Sequence, residues 1–299
     1  MNNFKSFYII MAFAFLLIAT KTINAQQPTK MFSLEISPEF RKENFRWSIA
    51  GNEQGTNPNI LSELIFNPIR AKGFHIDAGY TPFPNSSFHI YYNRLFTYNG
   101  EATDFDYDGD NRTQPSSQLY LQSNKGFMRS TGFTAHEHFF SQNTISLIAG
   151  IGFDLTRELF YLTDINDSFL NTTYEANWNG PLLTAKGIWN INRFLSIGSS
   201  LTGRYLFYNA KANWNLVESF QHPVSFTHKA AGWGLDYDLG ATAKLSNTVK
   251  LSIINRYSFW KTKKGLDKLY QSDGQILRAQ MNGAIKKSIG LGIKAGFEF

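Results

Sequence analysis

The sequence has no cysteine and, beyond its first 25 residues, no long apolar run. Without cysteine, the chain forms no disulfide framework of the kind that stabilises small secreted domains, and it carries no lipid anchor on a cysteine. A helix that crosses a membrane needs about 20 apolar residues, and the longest apolar run, residues 7–19, has thirteen. These absences exclude a helical membrane protein and a disulfide-rich domain.

The beginning of the chain has the order of an export signal. Lys5 supplies a positive start, residues 7–19 form the apolar run, and Ala25 ends the segment with a small side chain. This order predicts a secretory signal peptide at residues 1–25 and one domain at residues 26–299. That domain carries 27 basic and 23 acidic side chains, a net charge of +4 without a dense basic run. We therefore expect no nucleic-acid partner.

Residues 277–299 alternate between apolar and polar or small side chains. Strict period two over twenty-three residues excludes a helix, and this length far exceeds the usual strand of about 5–6 residues. The apolar members occupy the odd positions, interrupted only at Lys287, and end with Phe297 and Phe299. A long strand with one apolar and one polar face is typical of a barrel wall in a membrane, and aromatic residues, at 16% of the chain, suit its two girdles.

The breaks between alternating runs differ in length in a regular way. Four tight turns are predicted near residues 67–73, 141–143, 190–193 and 246–248, and five longer polar loops near residues 51–59, 99–117, 164–173, 213–223 and 263–275. These breaks predict an all-β, transmembrane antiparallel up-and-down barrel of about ten strands, with short periplasmic turns and long outer loops. We expect it in the outer membrane of a Gram-negative bacterium, loops facing the exterior, in contact with outer-membrane lipid and with lipopolysaccharide as a candidate partner.

The polar face of this wall predicts a narrow, filled lumen rather than a general pore. Its charged side chains are expected to pair with one another, and include Asp154, Glu158, Arg204, Arg256 and Lys294. His136 and His138 fall on the same inner face near the periplasmic end. A zinc site would need a third ligand, so polar filling of the lumen is the favoured interpretation of both histidines.

Two motifs stand out near the ends of predicted strands. Residues 263–270 read Lys-Lys-Gly-x3-Leu-Tyr, and residues 174–181 read Tyr-x3-Trp-x2-Pro. Together with the ten-strand layout they resemble the omptins, a family of outer-membrane endopeptidases whose cleft lies between the outer loops. The resemblance spans nearly the whole domain and implies a peptide or protein substrate at the extracellular loops.

Asp104 and Asp106 form the motif with the clearest chemical meaning. Asp104-Phe105-Asp106-Tyr107 resembles the omptin Asp-x-Asp motif, whose carboxylates face an Asp-x-His from the fourth outer loop and help to activate a water. The resemblance therefore implies Asp104 and Asp106 as the catalytic residues of an aspartic-type endopeptidase. Two acids one residue apart at the end of a strand lie on one face, so we expect one pKa to be raised.

The other half of the omptin site is not matched. The fourth loop reads Asn213-Trp214-Asn215 where the family has Asp-x-His, and an asparagine is not a base. His222, His228 and Glu218 are the nearest replacements. Whether the chain is an enzyme stays open, and the alternative is a non-catalytic outer-membrane barrel for adhesion, ligand binding or envelope structure.

Other chemistries remain as alternatives for these polar residues. Asp104, Asp106, Asp108 and Gly109 match the start of a calcium loop, but Pro115 stands where that loop has glutamate. A solvated polar loop without chemistry is the simplest reading of the same acids. A serine–histidine acyl hydrolase also stays open, although the sequence shows no persuasive spacing. We expect neither a cofactor nor a metal site.

Overall fold

In the computed structural model, residues 30–142, 144–164 and 169–299 are described, so the predicted signal peptide lies outside the described residues. Within these residues the chain forms twelve β-strand segments and one 3₁₀ turn, Asp110–Arg112. The segments are β1 (Phe32–Ile49), β2 (Ser62–Phe83), β3 (Ser86–Asn99), β4 (Glu101–Gly109), β5 (Thr113–Gln142), β6 (Ile145–Thr163), β7 (Thr172–Asn190), β8 (Leu195–Asn213), β9 (Phe226–Lys244), β10 (Val249–Thr262), β11 (Gly265–Tyr270) and β12 (Ile276–Glu298). The described chain contains no helix long and apolar enough to span a membrane.

The sheet closes on itself. β1 pairs antiparallel with β2 on one side and with β12 on the other. β3 and β4 both lie between β2 and β5, so they form one wall strand interrupted at Gly100. β10 and β11 likewise form one wall strand between β9 and β12. The barrel therefore has ten antiparallel wall strands, which confirms the predicted fold.

The two ends of the barrel differ. At one end, called the turn end, short connections join β2 to β3, β5 to β6, β7 to β8 and β9 to β10. At the opposite loop end the connections include residues 50–61 and 214–225, and residues 165–168 of the predicted loop near 164–173 lie outside the described residues. Phe32 and Glu298 both lie at the turn end, paired through neighbouring residues of β1 and β12. This arrangement agrees with the predicted alternation of turns and loops.

The turn predicted near residues 67–73 is wrong, because β2 runs straight through it. Asn67 and Pro68 form a bulge opposite Asn44, where the pairing steps from Glu43–Ile69 to Phe45–Phe66. A bulge accommodates a proline, which has no N–H for the ladder, without ending the strand. The turn itself lies at residues 84–85.

Two of the predicted outer loops are also largely strand. The region 99–117 contains β4 and the start of β5, which form a hairpin whose tip is Asp110–Arg112. Region 263–275 contains β11, which continues the wall beside β12. Polar side chains tolerate solvent on both faces above a bilayer, so hydrophilicity alone does not mark these segments as loops. The wall therefore stands higher than the sequence pattern indicated.

The strand at the C-terminus has the predicted alternation over most of its length. Lys286, Ser288, Gly290 and Gly292 face inward, and the odd positions between them face outward. Near the loop end the inward and outward positions exchange. Ser48 pairs with Gly283 but Ile49 pairs with Met281, so β12 has one extra residue at this point. The extra residue turns Met281 into the interior, where it is fully buried. Met281 was expected to face outward, and the bulge is the reason why this expectation is wrong.

The outer surface carries the two aromatic girdles expected of a membrane barrel. Near the turn end the exposed rings are Phe32, Tyr80, Phe83, Phe88, Phe139, Phe140, Trp189 and Phe194. Nearer the loop end they are Phe40, Phe74, Phe96, Tyr98, Tyr205, Phe207 and Trp233. Exposed aliphatic side chains lie between the two sets. The segments β4 and β11 extend beyond the second girdle.

The interior has two layers. In the half nearer the turn end, charged side chains pair across the lumen: Arg204 with Asp154 and Asp236, Arg256 with Glu39 and Asp238, and Lys294 with Glu35. In the half nearer the loop end, large rings fill the bore, among them Phe45, Trp47, Phe66, Phe160, Tyr174, Trp178, Tyr208 and Trp260. Glu158 pairs with Lys286, so all five charges of the predicted network are paired, whereas the sequence did not indicate the layer of rings.

Candidate functional site

Asp104 and Asp106 lie on β4, beyond the second aromatic girdle. Asp104 is opposite Leu64 on β2 and Leu119 on β5, and only 5% of its surface is exposed. Asp106 accepts a hydrogen bond from Ser62. Both carboxyls belong to the wall strand rather than to a loop, which corrects the predicted location. Their spacing brings them together on one face, as expected for positions i and i+2.

Burial raises the pKa of the Asp104 carboxyl to about 8, and the neighbouring charge of Asp106 adds to this. The pKa of Asp106 is raised as well, chiefly by burial, although its hydrogen bond from Ser62 opposes the shift. The expected raised pKa is therefore found at Asp104. A carboxyl that titrates near neutral pH is suited to proton transfer.

The asparagines of the fourth loop have structural partners. Asn215 accepts hydrogen bonds from Thr172 Oγ1 at 2.8 Å and the Asn171 backbone N–H at 3.2 Å, and its amide donates to the Phe169 carbonyl at 2.8 Å. Asn213 contacts Nδ1 of His222 at 2.7 Å. The Asn215 contacts join the fourth loop to the third, whereas the Asn213 contact lies within the fourth.

His228 is the histidine that the fold places inside the loop-end half of the barrel. Its Nδ1 lies 2.9 Å from the hydroxyl of Tyr174, which is 2.6 Å from that of Tyr208. Its Nε2 is 3.1 Å from Oδ1 of Asp267, without the alignment of a hydrogen bond. The His228 side chain is completely buried, and only 5% of the Asp267 side chain is exposed. Neither Asp267 nor Tyr174 was singled out as a partner of a histidine from the sequence.

Trp47 fills the interior at the level of the acidic pair. Trp47 is opposite Leu64, which is opposite Asp104, so the three residues lie in one row across neighbouring strands. The indole ring of Trp47 lies 4.6 Å from the His228 ring and 5.6 Å from the Tyr174 ring. Rings rather than an open cleft therefore occupy this part of the bore.

The other candidate residues lie apart from this pair. Glu218 is exposed on a loop. His136 and His138 line a cavity of about 640 Å³ in the turn-end half, on the inner face as expected. Among the residues that the structure describes, no three histidine, aspartate or glutamate side chains converge on a common metal position. The calcium alternative for Asp104, Asp106 and Asp108 therefore has no ligand set there.

The hairpin tip contains an ion cluster that the sequence did not indicate. Arg112 donates to both oxygens of Glu63, from Nε at 2.7 Å and from Nη2 at 2.9 Å. The Tyr107 hydroxyl donates to the same carboxylate at 3.0 Å. Hydrogen bonds from Arg112 and Tyr107 lower the pKa of Glu63 despite its burial. Arg112 adopts a positive φ of 63°, and the bidentate contact holds it there.

A family model described as Pom, Protochlamydia outer membrane protein, matches residues 35–299. A search of curated proteins finds no significant match. Among solved structures, the chain is similar to the outer membrane protease OmpT from Escherichia coli, at a TM-score of 0.73 and 11% identity, over 94% of this chain and 100% of that one.

Two other barrels align more weakly. The translocator domain of autotransporter NalP from Neisseria meningitidis aligns at a TM-score of 0.39 and 10% identity, over 99% of this chain and 98% of that one. The outer membrane protein OprG from Pseudomonas aeruginosa aligns at a TM-score of 0.37 and 10% identity, over 90% and 97% of the two chains. At these identities the likeness to OmpT concerns the fold alone.

Proposed function

Because the chain belongs to the Protochlamydia outer membrane protein family and lies in the outer membrane, we propose that its loop end is a rigid surface for binding or envelope structure, without peptidase activity. The observation that carries this proposal is that Asn215 both accepts and donates hydrogen bonds to its neighbours. Where a peptidase of the resembled type would need a base, Asn215 binds Thr172 and the Phe169 carbonyl. An amide engaged in this way does not take a proton from water.

The interior next to the acidic pair supports the same proposal. The His228 ring is buried against Trp47 at 4.6 Å, and its Nδ1 lies 2.9 Å from the Tyr174 hydroxyl. An imidazole in this position has no water to activate. The aromatic layer then acts as a solid support for the loops, which is a property of a binding or structural surface.

The test is peptide cleavage by the purified full chain in detergent micelles, with a mixed peptide library as substrate. We expect no cleavage above that of a mock preparation, and no difference between the native protein and Asp106→Ala. Cleavage that disappears in Asp106→Ala but persists in Asp108→Asn, an exposed acid on the same strand, would overturn the proposal.

An endopeptidase with an altered site is the second candidate. The observation in its favour is the pKa of about 8 at Asp104, which would let this carboxyl exchange a proton near neutral pH beside Asp106. In this case Asp104 and Asp106 are the catalytic residues and the substrate is a peptide or protein at the extracellular loops. Loss of cleavage in both Asp104→Asn and Asp106→Ala, with the barrel still folded, would establish it.

Contact with membrane lipid follows from the outer-membrane location, and we infer that anionic lipid, with lipopolysaccharide as the specific partner, binds one face of the wall. Six basic side chains point outward on four neighbouring strands near the second girdle: Lys42, Arg46, Arg70, Lys72, Lys261 and Lys287. Lys72 and Lys287 lie over the rings of Tyr98 and Phe259, and long basic side chains at such positions lay their stems on apolar surface and reach lipid phosphate with their charge.

Retention of lipopolysaccharide tests this partner. We expect the variant Lys42→Gln/Lys72→Gln/Lys287→Gln to retain less lipopolysaccharide through purification than the native protein. The matched control is Lys211→Gln/Lys229→Gln/Lys268→Gln, an equal charge change on other strands. Equal retention by both triple variants would contradict the assignment to this face.

A further inference from the structure

A serine, a histidine and an aspartate lie in series in the cavity at the turn end. Oγ of Ser87 is 3.2 Å from Nε2 of His89, and Nδ1 of His89 is 2.7 Å from Oδ1 of Asp77. Ser87 and His89 share a face of β3 because they are two residues apart, and Asp77 is on the adjacent strand β2. All three line the cavity of about 640 Å³.

We propose that Ser87, His89 and Asp77 are the catalytic triad of an esterase that cleaves small, polar esters inside this cavity. Each ring nitrogen has the partner that this role requires. Asp77 accepts a hydrogen bond from Nδ1–H, which fixes the tautomer that leaves Nε2 free to accept the Ser87 proton. A triad is recognised by this order of contacts and not by the order of its residues in the chain.

The exposure of the histidine separates this triad from a purely structural cluster. About 23% of the His89 side chain and 15% of the Asp77 side chain are exposed, whereas the His228 side chain in the aromatic layer is completely buried. Water and a small substrate can therefore reach His89. Gly79, opposite His89, makes room for the ring, because a Cβ at this position would lie 2.8 Å from Cε1 of the imidazole.

The oxyanion of the reaction would be stabilised by side chains. Backbone N–H groups in the interior of a sheet are committed to the ladder, so a strand-borne serine has no backbone oxyanion hole. His136 is directly opposite Ser87 on β5, and its ring lies 5.1 Å from that of His89. Lys186 lines the same cavity and is close enough to Asp77 and His136 for charge interactions. Lys186 and His136 are the donors in this proposal.

The walls of the cavity define the class of substrate. Charged and hydroxyl-bearing side chains make up most of its described lining, with a minority of apolar side chains such as Ile148, Leu182 and Ile188. The cavity extends from Lys286, beneath the aromatic layer, to Lys30 at the turn end. A short acyl group, such as acetyl, on a polar alcohol fits this space, and it would enter from the periplasmic side.

The chemistry follows the usual two halves of serine catalysis. Oγ of Ser87 adds to the ester carbonyl carbon while its proton passes to Nε2 of His89, and the tetrahedral intermediate expels the alcohol, which takes that proton. Water then adds to the acyl carbon and gives a proton to His89. The carboxylic acid leaves as Ser87 recovers its proton from His89.

The experiment uses the full chain in detergent micelles, with p-nitrophenyl acetate and p-nitrophenyl octanoate as probes. We expect hydrolysis of the acetate, slower hydrolysis of the octanoate, and a loss of about 100-fold or more in Ser87→Ala and His89→Gln. Asp77→Asn should show a comparable loss. Ser130→Ala is the matched control, because Ser130 is another cavity serine that contacts Thr156 rather than a histidine, and it should keep the full rate.

A fluorophosphonate probe gives a second measurement that does not depend on choosing the right ester. Mass spectrometry should find the adduct on Ser87 in the native protein, and no adduct on that peptide in His89→Gln. Heat-modifiable migration in gels confirms that each variant is folded. The proposal is overturned if the folded native protein shows neither hydrolysis nor an adduct on Ser87, or if Ser87→Ala retains the native rate.

Discussion

The ammonium of Lys286 lies 2.6 Å from Oε1 of Glu158, and both side chains are fully buried. This pair marks the boundary between the charged lumen and the aromatic layer, because Lys286 also lies 3.7 Å from the centre of the Trp260 ring. Glu43 approaches the same ammonium at 3.9 Å. The Trp178 ring lies 5.9 Å from the same ammonium, so two carboxyls and two rings share a single cation in the middle of the bore.

Replacing that cation should be costly. We expect Lys286→Met to lower the free energy of unfolding by about 3–5 kcal/mol, because it leaves Glu158 and Glu43 buried without their partner. Urea titration followed by tryptophan fluorescence in micelles measures the change. The neighbouring Lys287 points outward, so Lys287→Met is the control, with an expected effect within about 0.5 kcal/mol. Equal effects in the two variants would argue against the pairing.

Stability should depend on pH through Asp104. Because its folded pKa of about 8 lies above the ordinary value of 3.8, the folded state holds the proton more tightly than the unfolded state. Its contribution is therefore present at low pH and is lost as pH rises toward 8, at about 1.4 kcal/mol per pH unit at most. In Asp104→Asn the urea midpoint should change less between pH 5 and pH 8 than in the native protein, whereas in Asp108→Asn it should change as in the native protein. A native midpoint that rises over this range, and stays so in Asp104→Asn, would refute the assignment.

The hairpin tip should depend on Arg112. In Arg112→Ala, Glu63 loses a bidentate partner and the tip loses its contact with the wall, so we expect faster proteolytic cutting within residues 108–114. Limited digestion with thermolysin and mass spectrometry of the fragments provide the measurement. Arg278→Ala, an exposed arginine at the same end of the barrel, is the control. Equal rates in both variants would show that the ion cluster does not hold the tip.

The loop contacts of Asn215 should be visible in hydrogen exchange. Asn215→Ala removes the acceptor of the Asn171 amide, and a net hydrogen bond of about 1 kcal/mol corresponds to roughly fivefold faster exchange at this amide. Asn213→Ala, which affects only the contact with His222, should leave Asn171 unchanged. Faster exchange in both variants would point to a general loosening of the loops and not to this contact.

The barrel was predictable because its cause is local. Period-two alternation follows directly from strand geometry, and it holds at Lys286 and Ile289 as the sequence indicates. The errors arose where one extra residue in a strand changes which of its side chains face inward. Neither the bulge at Asn67 nor the reversal at Gly283 has a signature that separates it from a turn or a continuous strand, because register depends on the partner strand.

The candidate sites also contain contacts that local spacing predicts and contacts that it does not. The shared face of Asp104 and Asp106 could be foreseen, since it needs only their spacing. The partners of His228 could not, because Asp267 and Tyr174 come from distant strands that meet only when the barrel closes. The contact from Ser87 to His89 had a local signal, two positions apart on one strand, but Asp77 became its third member only through pairing of β2 with β3.

The layer of rings around Trp178 and Trp260 has a consequence for the cell as a whole. In the part of the chain that the structure describes, side chains fill the bore at this level and the charge of Lys286 is paired beneath them, so we expect the barrel to conduct neither ions nor solutes. Reconstituted in a planar bilayer, the barrel should therefore be electrically silent. A bacterium could display this protein at high density and still keep antibiotics and detergents outside.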